Sequence, residues 1–172
     1  AGTVIKGSAG QGSLASALVV ARGGQIFANG TADAPIIMTS VSDDLSTMDD
    51  LGPADQGLWG GLLVLGNAPC SFEGDVDEAQ IEGIPADDTF GLYGGNDPSD
   101  NSGVIRYVSV RHGGAVIGEN NEINGITLGG VGNGTVIENI EVVANSDDGI
   151  EFFGGTVLSL IHISEPTRRY RI

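Results

Sequence analysis

The amino-acid sequence predicts an all-β protein that folds as a right-handed, single-stranded parallel β-helix. Three observations lead to this prediction. Short apolar segments recur along the chain, Gly, Asn and Asp separate them, and no ten-residue segment places apolar residues at helical spacing. Glycine contributes 29 of the 172 residues without a collagen-like period, which suits the tight corners of a solenoid.

Short apolar runs, bounded by turn-forming residues, mark the individual strands because they are too short for helices. The predicted strands before the main repeat are Thr3–Ile5, Ala17–Val20, Gln25–Phe27, Pro35–Thr39 and Leu62–Leu65. Polar, acidic segments predict loops that leave the stack at residues 41–56, 67–80 and 96–102. From Gly103 we expect the stack of coils to run to Thr156.

Two aligned segments define the repeat. Residues 105–110 read IRYVSV and residues 137–142 read IENIEV, with apolar residues at matching places. A weaker copy begins at Ile81. Because neighbouring coils of a parallel β-helix lie about 4.8 Å apart, aligned residues should stack directly on one another. The predicted vertical pairs are Val108–Ile140, Val110–Val142, Arg106–Glu138 and Ser109–Glu141.

A second, glycine-flanked pattern also repeats. It reads GLWGG at 57–61, GLYGG at 91–95, GITLGG at 125–130 and GIEFFGG at 149–155. The alignment places Trp59 and Tyr93 at matching positions of the repeat. Stacked on an outer face, these two rings would form a ligand-binding platform for a sugar; the alternative is that both fill the core.

Composition limits the classes of partner and the domain organisation. The formal net charge of −16 excludes nucleic acid as a partner, because phosphate binding requires Lys and Arg. The single cysteine, Cys70, rules out an internal disulfide. No run of 18 apolar residues is present, so we expect no transmembrane segment. The length predicts one β-helix domain, at residues 1–157.

The last fifteen residues break the repeat pattern. LSLIHISEPTR, at 158–168, resembles the translation of a sequencing-library adapter, and three of the seven basic residues lie in the last five positions. We therefore expect residues 158–172 to be a non-native tail on a metagenomic fragment and exclude them from the fold.

Several segments together carry a family resemblance: GLWGGLLVLGNAP, GLYGG, SGVIRYVSVRHGG and GTVIENIEVVANSDDGIEFFGGTV. They resemble secreted or lipid-anchored β-helix proteins of marine and Bacteroidetes-type bacteria, over nearly all of residues 1–157. The resemblance implies a β-helix fold and export to the cell surface, without implying a reaction. Family members continue with further acidic, Gly-rich coils, so we expect this chain to be truncated at its C-terminal end.

The segment NSDDGIE, at 145–151, is the sharpest candidate for chemistry. It is similar to Asp-Asp segments of polygalacturonase-type glycoside hydrolases, which share the β-helix. Asp147 and Asp148 would act as general acid and base. A lyase would need a basic residue, for which Arg111 is the first candidate and Arg106, Lys6 and Arg22 are the others. Asp147, Asp148 and Glu151 would also suit Ca²⁺, the one cofactor considered. The alternative is that Asn, Asp and Gly form a corner.

The leading hypothesis is therefore an exported, non-catalytic β-helix domain that acts at the cell surface as a scaffold, adhesin or glycan-binding module. The alternative is a polysaccharide lyase or glycoside hydrolase that acts on an acidic polysaccharide. The fold alone does not separate these classes, because β-helices serve both. Convergence of the carboxylates and a basic group on one groove would favour the enzyme.

Overall fold

The computed structural model describes residues 1–47, 50–74, 76–118 and 121–158. Within these residues the chain forms thirteen strands and two single-turn 3₁₀ helices, Gly12–Leu14 and Thr89–Gly91. The strands are β1 (Val4–Gly7), β2 (Leu18–Val20), β3 (Ile26–Asn29), β4 (Ile36–Ser40), β5 (Leu62–Leu65), β6 (Ala79–Gln80), β7 (Leu92–Tyr93), β8 (Gly103–Arg111), β9 (Val116–Gly118), β10 (Asn121–Glu122), β11 (Ile126–Gly129), β12 (Val136–Val143) and β13 (Ile150–Phe153).

Two parallel sheets form the body of a parallel β-helix. Sheet A has the order β1-β4-β8-β12, and β3 also pairs with β8. Sheet B has the order β13-β11-β5-β2. The chain passes repeatedly from one sheet to the other, so strands distant in sequence become neighbours. The fold class predicted from the short apolar runs and their repeats is confirmed.

The register of β8 and β12 is the one that the repeat predicts. The four predicted vertical pairs all form, as Val108–Ile140, Val110–Val142, Arg106–Glu138 and Ser109–Glu141. The second pair of polar residues is joined by a hydrogen bond of 2.6 Å from the Ser109 hydroxyl to Glu141, and Arg106 forms an ion pair with Glu138. The exposed Arg106–Glu138 ion pair adds at most about 1 kcal/mol.

Apolar side chains between the two sheets form the main core. Alternation along β5 shows which face is inside: Leu62 and Val64 belong to this core, whereas Leu63 and Leu65 point to the outer face of sheet B. The buried members are Val20, Ala28, Ile36, Met38, Trp59, Leu62, Val64, Ile105, Val108, Val110, Ile126, Leu128 and Val131. Burial of these side chains stabilises the stack.

Long strands β8 and β12 bend at the same point on successive coils. Tyr107 and Asn139 both have left-handed backbone angles, with φ of 48° and 53°. Their neighbours pair in register, so the two bends lie one above the other. His112 and Ala144, at the next corner of the same two coils, also have left-handed backbone angles, with φ of 57° and 53°. Asn is common in this conformation, whereas Tyr is not.

The predicted equivalence of the glycine-flanked segments is confirmed for the last two, because Ile126 pairs with Ile150, but it is wrong for the first two. Ile126 pairs with Leu62 rather than with Leu58, so GLWGG precedes the strand that enters sheet B. GLYGG does not enter either parallel sheet, because β7 pairs antiparallel with β6. The predicted weak copy that begins at Ile81 likewise forms no coil. Residues 66–102, which we call the excursion, leave the stack after β5 and return at β8.

The excursion covers the outer face of sheet B with a second apolar cluster. Its buried members are Leu63, Leu65, Ile81, Tyr93 and Ile123. The Tyr93 ring packs edge-on against Phe72 and Phe153, with ring centroids 5.5 and 6.1 Å apart. Edge-to-face packing of this kind is favourable for aromatic rings. Sheet B is therefore buried on both faces along β5.

The end of the domain and the predicted tail meet at Val157. Val157 packs against the main core, and Leu158 is 63% exposed. Residues 159–172, which make up nearly all of the predicted non-native tail, lie outside the described residues. Over the part of the chain that the structure describes, no helix has both the length and the apolar character needed to cross a membrane.

Candidate functional site

The predicted catalytic residues Asp147 and Asp148 lie in the turn between β12 and β13, where the Asp147 carboxylate contacts the backbone. The Asp147 carboxylate accepts a hydrogen bond of 2.9 Å from the backbone N–H of Asp148. The Asp148 carbonyl accepts from the Asn145 side chain at 3.0 Å and from the Gly125 N–H at 3.0 Å. Both aspartate residues are exposed. These contacts are those of a corner.

The predicted base Arg111 lies at the end of β8 and interacts with its own sheet. Its Nε donates a hydrogen bond of 2.8 Å to Ser109, and its Nη2 lies 3.9 Å from the Glu141 carboxylate. Among the described residues, Arg111 forms no ion pair with Asp147 or Asp148. The structure thus places Asp147 and Asp148 in one turn, whereas the contacts of Arg111 are with Ser109 and Glu141 on sheet A.

The two aromatic residues predicted to bind sugar are both buried. Trp59 is 1% exposed, and its indole N–H donates a hydrogen bond of 2.7 Å to the Arg111 carbonyl. Tyr93 is 7% exposed and belongs to the outer cluster, whereas Trp59 belongs to the main core. Neither ring offers a free face, so the core-filling alternative replaces the sugar platform.

A different group of polar residues comes together beside sheet B. Glu82 of the excursion, Asn124 before β11 and Glu151 of β13 form what we call the acidic site. The Asn124 amide nitrogen lies 2.7 Å from the Glu151 carboxylate and 3.5 Å from the Glu82 carboxylate. Glu151 follows Thr127 and Leu63 on the outer face of sheet B, because these three residues are in register. The chain thus brings two carboxylates to one amide.

The amide at the centre of the acidic site is buried, and only its nitrogen has hydrogen-bond partners. Asn124 is 1% exposed, yet its Oδ1 has no hydrogen-bond partner. Asn145, in the turn below, also has an unpartnered buried Oδ1. Buried polar atoms are nearly always paired in folded proteins, because an unpaired one costs about 1–3 kcal/mol.

Both carboxyl groups of the acidic site hold their protons more tightly than usual. Partial burial and the charge of Glu151, followed by those of Asp147 and Glu122, raise the pKa of Glu82. Partial burial also raises the pKa of Glu151, opposed by its hydrogen bond from Asn124. The acidic site is therefore a place where negative charge accumulates at some cost to the fold.

A polar cleft lies between the excursion and the turn that follows β2. Its volume is about 910 Å³, and it is wide open to solvent. Arg22 forms an ion pair of 2.6 Å with Glu78 and donates a hydrogen bond of 2.9 Å to the Gly94 carbonyl, so it connects the excursion to the stack. The polar side chains that line the cleft are Arg22, Asn67, Asp77, Glu78, Asn96 and Asp100.

Comparison with known proteins identifies the family. A family model described as a pectate-lyase-like β-helix domain matches residues 1–165. The chain belongs to the pectate-lyase-like β-helix family. Neither the curated proteins nor the solved structures contain a match to it.

The predicted metal ligands of this pectate-lyase-like β-helix do not form a ligand set of their own. Among the described residues, no group of three or more His, Cys, Asp or Glu side chains converges closely enough to hold a metal ion. Glu151 faces Asn124, whereas Asp147 contacts the backbone of its own turn. Of the predicted trio, only Glu151 therefore belongs to the acidic site.

Sequence reasoning missed Glu82 and Asn124. Glu82 stands alone in an irregular segment, and its position depends on how the excursion returns. Asn124 carried a signal, because it lies in the apolar run INGITL just before a buried strand. A polar residue in such a run needs a buried partner, but the sequence does not show which one.

Neutralising one carboxylate of the acidic site should stabilise the protein at neutral pH. The raised pKa values mean that the folded state binds protons more tightly than the unfolded state, so stability falls as pH rises above the ordinary glutamate value. We expect Glu82→Gln to raise the thermal midpoint at pH 7 by an amount on the order of 1 °C. The effect is small because the site is partly exposed. At about pH 3 the gain should vanish, because the carboxyl group is then protonated in both the folded and the unfolded state.

The matched control is Glu73→Gln, an exposed carboxylate elsewhere in the excursion. Thermal melts of both variants at the two pH values check the expectation. A drop in the midpoint of Glu82→Gln at pH 7 would mean that its charge is favourable in the folded protein, against the repulsion described here.

Proposed function

We propose that this pectate-lyase-like β-helix is an exported, cell-surface module that binds a neutral glycan in the polar cleft without cleaving it. The observation that carries the proposal is the cleft itself, which is lined by amide, carboxylate and guanidinium groups. Such groups donate and accept hydrogen bonds to hydroxyls in several directions.

Charge in the cleft favours a neutral ligand over an acidic one. Of the described residues that line it, Asp77, Glu78 and Asp100 are acidic and Arg22 is basic. Arg22 is already paired with Glu78. A uronate would therefore meet two uncompensated carboxylates in a protein of net charge −16. This supports neutral sugars rather than the acidic polysaccharide of the enzyme hypothesis.

The arrangement of the predicted catalytic residues supports binding over cleavage. General acid–base catalysis requires both groups within reach of one substrate bond. Asp147 instead contacts the turn backbone, and Arg111 contacts Ser109 and Glu141 on sheet A. Export to the cell surface follows from the resemblance to secreted β-helix proteins and forms part of the proposal.

Removal of an amide from the cleft tests the proposal. Calorimetric titration with a panel of neutral oligosaccharides, and with an oligogalacturonate, should give binding by a neutral member and none by the uronate. Asn96→Ala should weaken that binding about three- to tenfold, the loss expected for one hydrogen-bonding side chain. Asn29→Ala is the control, because Asn29 is an exposed amide on sheet A outside the cleft.

Two results would contradict the proposal. One is equal weakening by both variants, which would place the glycan elsewhere. The other is release of reducing or unsaturated ends from the polymer by the unmodified protein together with loss of that activity in Asp147→Asn, which would restore the enzyme hypothesis.

A further inference from the structure

We propose that the open edge of β12 is a docking site for an extended, basic segment of another protein, which adds to sheet A as a further parallel strand. Among the described residues, β12 pairs on one side only, with β8. The backbone N–H and C=O groups on its other side therefore have no partner strand there. Extended segments bind such edges through main-chain hydrogen bonds, and their alternate side chains provide specificity. Nothing in this inference depends on glycan binding in the polar cleft.

Burial in the two neighbouring coils shows what the docking strand has to cover. In β8, which lies between two strands, the inward residues Val108 and Val110 are 2% and 0% exposed. The residues in register with them in β12, Ile140 and Val142, pack against the same core but are only partly buried. A strand with apolar side chains on its inward face would bury them as fully, which favours binding.

Charge at the edge of β12 selects a basic strand. The two charged residues of β12 are Glu138 and Glu141, whose side chains are 47% and 61% exposed. Each uses one carboxylate oxygen for the coil beneath, Glu138 with Arg106 and Glu141 with Ser109. The second oxygen of each accepts no hydrogen bond from the part of the chain that the structure describes. Arg or Lys on the outward face of the docking strand would pair with these oxygens.

The same charges oppose a second copy of the chain as the occupant. Two copies joined through their β12 edges would place Glu138 and Glu141 of one beside those of the other. Like charges on adjacent strands are destabilising, and each chain carries a net charge of −16. Charged side chains on an exposed edge are a common protection against self-association. The edge thus discriminates between its own copy and a basic partner.

Strand β8 itself is a model for the partner strand. Its sequence, GVIRYVSVR, places apolar side chains inward and Arg106, Ser109 and Arg111 outward, and it pairs in register with β12. Hydrogen bonds of a parallel ladder are evenly spaced, so the free edge of β12 offers a similar pattern of backbone groups. A peptide with the sequence of residues 103–111 is therefore the probe for this edge.

Fluorescence anisotropy with the labelled peptide and the whole chain, at physiological salt, tests the docking site. We expect a Kd on the order of 10⁻⁵ M. The same peptide with Arg106→Glu and Arg111→Glu should bind at least about tenfold more weakly, because like charges then meet across the ladder. A shuffled peptide of unchanged composition measures non-specific attraction to the acidic chain and should bind as weakly as the acidic peptide.

Variants of the protein locate the binding. Glu138→Gln and Glu141→Gln together should weaken the binding of the basic peptide about three- to tenfold, the effect of losing two exposed ion pairs. Glu73→Gln, an exposed carboxylate of the excursion, should leave the binding unchanged. Thermal melts show that each variant is folded. Hydrogen exchange should slow on binding for backbone amides within residues 136–143.

Four results would overturn the proposal. The first is absence of peptide binding, which is also what occupation of the edge by residues 159–172 of the chain itself would produce. The second is equal binding of the shuffled peptide, and the third is equal weakening by Glu73→Gln. The fourth is a dimer of the unmodified protein, seen by sedimentation, that the peptide dissociates, because a second copy would then be the occupant.

Discussion

Replacement of Trp59 by alanine is expected to lower the free energy of unfolding by about 3–5 kcal/mol, the usual cost of removing a buried Trp side chain. Trp59 is 1% exposed and among the largest fully buried side chains of the described residues. A Cβ on Gly7 would lie only 2.6 Å from the indole Cε3, which shows how closely β1 packs on the ring. Truncation leaves a cavity between sheet A and the entry to β5.

The measurement is chemical denaturation of the variant and of the unmodified protein, with the midpoint and slope compared. Trp59→Phe is the matched variant, because it keeps an aromatic ring but leaves the Arg111 carbonyl without the indole N–H that it accepts from. We expect it to cost about 1–3 kcal/mol. Unchanged stability of Trp59→Ala together with lost glycan binding would instead support the sugar platform predicted from sequence.

Replacement of Gly103 by alanine is expected to cost about 3 kcal/mol or more. Gly103 begins β8 with φ of +105°, a conformation that side chains rarely adopt. It pairs with Ile26 of β3, and a Cβ at Gly103 would collide with the Ile26 backbone carbonyl. Backbone atoms of a paired strand cannot turn aside, so the coils would have to separate.

Gly12→Ala separates conformational strain from collision. Gly12 also has positive φ, at +58°, but a Cβ there would meet no atom within 4 Å. We expect this control to cost about 1–2 kcal/mol, the strain of left-handed backbone alone. Equal losses in the two variants, measured by denaturation, would contradict the close approach of β3 and β8.

The repeat in β8 and β12 could be predicted residue by residue for a physical reason. The repeated segments, residues 105–110 and 137–142, have equal length and no insertion. A one-residue slip would therefore move every inward side chain to the outer face. Val108 and Ile140 therefore have one favourable pairing, which the apolar pattern reveals. Strands β4 and β5 were predicted from their apolar content alone, without their partners.

The glycine-flanked pattern misled because glycine marks corners of several kinds. Gly57–Gly61 leads into a strand of the parallel stack, whereas Gly91–Gly95 lies in an antiparallel pair outside it. The local sequence indicates that a turn is present, but it does not indicate which strand pairs with the strand beside that turn. For the same reason the candidate site could not be predicted: Glu82 meets Asn124 only because the excursion folds back over sheet B.

The long detour taken by the excursion also affects the order in which the coils form. Ile36 pairs with Val108 and Val108 pairs with Ile140, so β4 and β8 are joined by 72 residues of chain and β8 and β12 by 32. Loop-closure entropy makes the longer connection costlier by roughly 0.7 kcal/mol. The coils that contain β8 and β12 therefore pair at the lower entropic cost and should form first. Folding should then propagate from them toward the N terminus.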